Sequence, residues 1–222
     1  KGETEDEELP PKAKNNVERA IDIALDAASD SELPPRTADN GSLGRRVVAL
    51  RLRSLYYLDN HYQSLTFYDR DAELGALETA SGSPGHAFYV VYGRRRVGKT
   101  ELLKEFCADR RHVYFLAAQE AEQRQREKFV EQIASHFGDR VPRLDGWDEA
   151  FEYLGEKISS DRLVVVIDEF PDLVEENDSL PSYVRTFVDE RLRDTESMLV
   201  LCGSSVGTME SEVLGHESPL YG

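Results

Sequence analysis

Gly93, Gly98, Lys99 and Thr100 carry the first recognisable chemistry in this sequence. They stand in the run "VVYGRRRVGKTELL", residues 90–103, where Gly93 to Thr100 read G-x-x-x-x-G-K-T. That spacing lets the chain turn back around a phosphate with its backbone N–H groups inward, and glycine tolerates the dihedrals and the close approach. An apolar helical pattern follows, so a helix N-terminus, with free N–H groups and positive dipole, faces the same anion. In such a loop Lys99 reaches the β- and γ-phosphates, and the Thr100 hydroxyl is placed for Mg²⁺. Arg94, Arg95 and Arg96 lie between the glycines. Loop arginines can neutralise phosphate charge. The amides already do the cradling, so at least two of the three are expected to face solvent or surface carboxylates.

A second run, "LVVVIDEF", residues 163–170, ends an apolar strand in two adjacent carboxylates. Asp168, at the strand's carboxyl end, is expected beside the loop, holding Mg²⁺ through water. Glu169 could orient or deprotonate an attacking water. Acidic residues also cap buried strands for structural reasons, and the pair acquires meaning from the glycine-rich loop upstream. Adjacent Asp and Glu favour attack by water, hence hydrolysis, and the sequence shows no separate acceptor site of the kind a kinase needs. A third run, "LVLCGSSVGTME", residues 199–210, ends a buried strand in Gly203-Ser204-Ser205. One serine could contact the γ-phosphate or the lytic water. A plain strand-to-loop turn explains the residues equally well, and the sequence does not choose between Ser204 and Ser205.

These groups need a scaffold that brings strand ends together. "AFYVVY", "HVYFLAA", "RLVVVI" and "SMLVLC" are short apolar runs, as expected of strands buried on both faces. Helical patterns separate them. Leu102, Leu103, Phe106 and Cys107 share one face, as do Phe129, Val130, Ile133, Ala134 and Phe137, and Trp147, Phe151, Leu154 and Ile158. The alternation predicts an α/β fold with a parallel sheet covered by helices on both sides. "RRVVALRLRSLYYL", residues 45–58, fits either a strand or a helix, and the reading adopted is a helix. Residues 1–14 read as a disordered tail, 15–29 as a helix, and 29–44 as a linker.

The 222 residues carry a formal net charge of −16. A chain this acidic repels nucleic acid and anionic membranes, so such contacts would need a local basic patch. Seven lysines stand against twenty arginines. Abundant carboxylates with few lysines suit a protein from a high-salt cytoplasm. Cys107 and Cys202 sit in apolar runs and read as buried hydrophobes of a reducing, cytoplasmic compartment. No run is long enough to span a membrane, and no signal peptide opens the chain. The start at Lys1 and the stop after "SPLYG" suggest a fragment of a longer protein.

Together "FYDRDAEL", "YGRRRVGKTELL", "VYFLAAQ", "VVVIDEFPDLVEEN" and "LCGSSVGTMESEVLG" resemble the archaeal ATPase family, which belongs to the STAND class of P-loop NTPases. The resemblance runs from Phe67 to Gly222. It implies a three-layer α/β/α sandwich with a mostly parallel sheet in ASCE-type strand order, the strand at 197–202 lying between the two that carry the first two motifs. The C-terminal side would be incomplete, because the fifth strand, a helical lid, a winged helix and an arginine after "PLYG" are missing. Residues 1–60 would be an extension and 61–222 the ATPase domain. By resemblance, Gly93, Arg94, Arg95, Arg96, Val97, Gly98, Lys99 and Thr100 form Walker A, and Glu101 is expected to bind the nucleotide with them. Asp168 and Glu169 form Walker B, with Thr100 and Asp168 on Mg²⁺. Glu169, Lys99 and Ser204 would take part in hydrolysis, and Asp69 and Arg70 match the family's opening motif near the adenine. The implied activity is that of an ATP-binding, slowly hydrolysing switch domain in a multidomain signalling or regulatory ATPase. Its partners would be ATP and ADP, other domains or an unknown protein, with possible nucleotide-dependent self-assembly. Two rival readings are a nucleotide-binding interaction module with little turnover and a DNA-associated AAA-like ATPase that meets nucleic acid only through missing domains.

Overall fold

The structure, a computed structural model, describes residues 47–52, 70–158, 162–216 and 218–220. The tail, helix and linker expected within residues 1–44, and Asp69, lie outside the described residues. Five strands form one sheet: β1 (Val47–Leu52), β2 (Ala87–Gly93), β3 (His112–Leu116), β4 (Val164–Asp168) and β5 (Met198–Gly203). Their order is β1-β2-β5-β4-β3, and every neighbouring pair is parallel. The strand at 197–202 thus lies between those carrying the first two motifs, as expected. Parallel neighbours need a crossover between them, and the helical segments supply it.

The helices are α1 (Asp71–Gly82), α2 (Lys99–Cys107), α3 (Glu122–Phe137), α4 (Trp147–Ile158), α5 (Phe170–Glu176) and α6 (Leu180–Phe187). A π-helical segment, Val188–Leu192, continues α6, and a helical turn with a second π segment, Met209–Val213, follows β5. No helix among the described residues is long and apolar enough to cross a membrane.

Side chains alternate across the sheet, so β2, β3, β4 and β5 each feed two cores. Tyr89, Val91, Val166, Val200 and Cys202 pack with Leu77 of α1 and with Leu102, Leu103 and Phe106 of α2. Phe88, Val90, Val165, Ile167, Leu199 and Leu201 face α3 to α6 on the other side. This is the expected three-layer α/β/α sandwich. The second core is aromatic at its centre. Phe129 lies 5.3 Å from Phe115, 5.6 Å from Trp147 and 5.6 Å from Phe151, measured between ring centroids. Such tilted and edge contacts add to simple area burial. Phe129→Ala is expected to lower unfolding stability by about 3–5 kcal/mol, the usual cost of emptying a buried phenylalanine site. A shift of the urea midpoint at constant slope would report it.

One element differs from expectation. Residues 47–52, read as part of a helix, form strand β1, with Val47 beside Phe88 and Leu52 beside Gly93 in register. Val48, Leu50 and Leu52 alternate as in a strand, while Val48, Leu52 and Leu55 fit a helix. A strand edge with unpaired backbone groups decides the matter, because pairing along β2 satisfies N–H and C=O groups that a helix would leave open there. Among the described residues the sheet therefore has five strands, the one beyond β2 being supplied from the N-terminal side. A smaller omission is α5. Its seven residues directly after Glu169 are too short a run for helical periodicity to emerge.

Candidate functional site

The carboxyl ends of β2, β4 and β5 converge because these strands are parallel neighbours. In an open α/β sheet this is where ligands bind. The loop from Gly93 to Gly98 leaves β2 there and enters α2. Gly98 caps the helix with φ +84°, a conformation that side-chain-bearing residues adopt at a cost. Arg96 in the same loop has φ +67°. Arg70, mostly buried just before α1, donates to the Val97 carbonyl at 2.8 Å and pairs with Glu73 at 2.5 Å. The loop is thus braced from outside by a residue expected near an adenine.

Lys99 is 5% exposed. Its Nζ donates to the carbonyls of Gly93 at 2.8 Å and Arg94 at 3.1 Å. The ammonium is therefore folded back across the loop's own mouth. Arg94, Arg95 and Arg96 are all exposed. Glu101 is exposed too and pairs with Lys104 at 2.9 Å, on the outer side of α2. The structure does not bring it to the cleft.

Asp168 ends β4 and is fully buried. Its Oδ2 accepts the Thr100 hydroxyl at 2.9 Å and the Tyr114 hydroxyl at 2.6 Å, and its Oδ1 accepts the Glu169 N–H at 3.0 Å. Burial, then the charge of Asp168, pushes the Cys202 thiol of β5 well above its ordinary pKa. Burial, then the charge of Asp168, raises the Tyr114 phenol as well. Both groups therefore stay protonated, the Tyr114 hydroxyl as a donor to Asp168. Sequence reasoning missed Tyr114. The available signal was a polar-tipped aromatic in an otherwise apolar strand.

Glu169 has φ +54°, a left-handed backbone that costs a non-glycine residue on the order of 1–3 kcal/mol and clusters at functional sites. Its Oε2 accepts the Ser204 N–H at 3.0 Å and the Ser204 hydroxyl at 2.7 Å. Ser205 instead shares a hydrogen bond with Thr208 at 2.8 Å. Of the two serines, Ser204 is the one that meets the acidic pair. Arg95 Nε reaches the Ser204 hydroxyl at 3.4 Å. Gly203 admits no side chain here, since a Cβ would stand 2.6 Å from the Met209 sulfur and 2.7 Å from Pro171.

A cleft of about 190 Å³ opens on this group, lined by Arg95, Gln119, Glu169, Asp172, Ser204 and Ser205 among others. Burial, then the charges of Glu169 and Glu175, raise the Asp172 carboxyl above its ordinary value of 3.8, against the opposing pull of Arg95 and a hydrogen bond with Gln119. A carboxyl raised on folding binds more protons in the native state than in the unfolded one. Stability therefore falls as pH rises from the unfolded value through the raised native one. Asp172→Asn is expected to raise the thermal midpoint at neutral pH and to leave it unchanged below pH 3.8, where both states are protonated. Melting curves across pH would check this.

The donor set suits a phosphate and a hard cation. Lys99 and a helix N-terminus offer positive charge, and Thr100 and Asp168 offer oxygens of the kind Mg²⁺ prefers. No group of three His, Cys, Asp or Glu side chains among the described residues could cage a metal.

Comparison with known proteins follows the same lines. The family model described as an ATPase domain predominantly from Archaea matches residues 67–222. An uncharacterized protein of Methanocaldococcus jannaschii is 35% identical over 156 residues, covering 70% of this chain and 34% of the relative. A second protein from that organism is 35% identical over 60 residues, covering 27% of this chain and 58% of the relative. The chain thus spans about a third of the first relative and little more than half of the second. Among solved structures, a Walker-type ATPase of Pyrococcus abyssi superposes with a TM-score of 0.50 at 23% identity, covering 70% of this chain and 51% of that one. Cdc6p of Pyrobaculum aerophilum gives a TM-score of 0.50 at 20% identity, covering 69% of this chain and 43% of that one. These superpositions concern the fold, and the match over residues 67–222 concerns the sequence itself: the chain belongs to the archaeal ATPase domain family.

Proposed function

We propose that this chain binds Mg-ATP at the carboxyl ends of β2, β4 and β5, hydrolyses it slowly, and serves as a switch for other parts of a multidomain regulatory ATPase. The single observation that carries the reading is the convergence of Lys99, the Thr100–Asp168 pair and the Glu169–Ser204 pair on one strand end. The loop amides from Gly93 to Thr100 would hold the phosphates. Lys99 would exchange its two carbonyl acceptors for phosphate oxygens, a better match for its charge. Thr100 and Asp168 would hold Mg²⁺, which when bound neutralises the developing phosphate charge. Glu169 would orient the attacking water and accept its proton as ADP leaves. Ser204 holds one oxygen of the Glu169 carboxylate with two hydrogen bonds, which supports slow rather than rapid turnover. Arg70 braces the loop in this reading and has the adenine as a second assignment.

The rival in which the nucleotide is bound but barely turned over differs only in what Glu169 does. A net charge of −16 disfavours nucleic acid as the partner of this portion. Other domains, or further copies of the chain, are the partners the switch reading implies. Calorimetric titration with Mg-ATP in molar KCl, followed by a phosphate-release assay, tests the proposal. Saturable binding with measurable turnover is expected. Binding without turnover would favour the interaction module, and no binding by the folded chain would overturn the nucleotide reading.

A further inference from the structure

Asp168 is wholly buried, yet three hydrogen-bond donors from three different segments are fixed on its two oxygens. Thr100, on α2, has a place in the proposed metal site. Glu169 contributes only its backbone N–H. The third donor, Tyr114, stands on β3, the strand paired with β4 in the register Tyr114↔Val166 and Leu116↔Asp168. Its ring packs partly buried against the α1–α2 core. Phenylalanine would fill that space as well, so packing gives no reason for a hydroxyl. The hydroxyl's one proton goes to Asp168 at 2.6 Å, the short distance of a charge-assisted bond. Thr100 and Tyr114 thus share Oδ2 from opposite neighbours, one on the loop helix and one on the adjoining strand.

We infer that Tyr114 is a positioning residue for the metal site: its hydroxyl locks the Asp168 carboxylate so that Oδ2 stays beside the Thr100 hydroxyl. The inference rests on the reading of Thr100 and Asp168 as the Mg²⁺-side residues. A carboxylate has two-fold rotational freedom about its last bond, and burial makes any orientation that loses a donor expensive. Tyr114 removes that freedom whether or not a cation is present. Partners that orient a ligand in this way change metal affinity about 10- to 100-fold when removed.

The test is Tyr114→Phe in the whole chain, titrated calorimetrically with ATP in excess Mg²⁺ and with ATP in EDTA. Affinity in EDTA is expected to stay within about twofold of wild type, while the Mg²⁺-dependent gain falls about tenfold. The half-saturating Mg²⁺ concentration should rise by the same factor. On an Asp168→Asn background, Tyr114→Phe should add no further loss. An unchanged Mg²⁺ gain in Tyr114→Phe overturns the inference and leaves the nucleotide site standing. Equal losses with and without Mg²⁺, or additive losses in the double variant, also overturn it, because the hydroxyl then acts through packing. A wild type that binds ATP under neither condition overturns the nucleotide reading and this inference with it.

Discussion

Lys99→Ala is expected to remove Mg-ATP binding under conditions where the wild type saturates. The ammonium is almost fully enclosed and rests on the carbonyls of Gly93 and Arg94. In the proposed complex it meets phosphate oxygens in a site shielded from solvent. Truncating one partner of a buried, hydrogen-bonded charge pair costs about 2–5 kcal/mol, or roughly 30- to 4,000-fold in affinity. The same change leaves two loop carbonyls short of a donor, which lowers fold stability by about 1–2 kcal/mol. Binding and stability therefore separate. Calorimetry should show the large loss, and a thermal melt should show a midpoint lower by only a few degrees. A variant that binds Mg-ATP as the wild type does would remove Lys99 from the phosphate site.

Glu169→Gln carries the second large effect, on turnover instead of binding. The amide is nearly isosteric and keeps an oxygen that can accept from the Ser204 N–H and hydroxyl, so the contacts at 3.0 and 2.7 Å survive. What it loses is the capacity to take a proton from water. General-base contributions run to about 10²–10⁴-fold, and phosphate release is expected to fall by that factor with Mg-ATP affinity retained. Equal turnover in both proteins would place the base elsewhere. Ser204 also holds the wild-type carboxylate in a fixed orientation, so its removal acts through Glu169 and not on the nucleotide alone.

Much of the site was legible because it is written in local spacing. The G-x-x-x-x-G-K-T loop needs a strand before it and a helix after it, and β2 and α2 are there. The apolar run ending in Asp168 and Glu169 became β4 with its acidic end beside Thr100. Where expectation went astray, two local patterns competed or none existed. Residues 45–58 satisfied both helix and strand periods, and pairing with β2 settled 47–52 as a strand. Glu101, adjacent to the loop in sequence, turns toward Lys104 because helical geometry carries successive side chains about 100° apart around the axis.

The sequence by itself determined the layered α/β fold, the glycine-rich strand-to-helix loop and the acidic strand end. These follow from periodicities and motifs only a few residues long, and local sterics and backbone hydrogen bonding are enough to impose them. Only the tertiary structure decided which serine meets Glu169, which residue braces the loop, and which hydroxyl besides Thr100 holds Asp168. Ser204 and Glu169 are 35 positions apart, Arg70 and Val97 are 27 apart, and Tyr114 and Asp168 are 54 apart. Contacts over such separations depend on the order β1-β2-β5-β4-β3 and on strand register. Order and register emerge from packing two cores against one sheet, and no short window of residues contains that information.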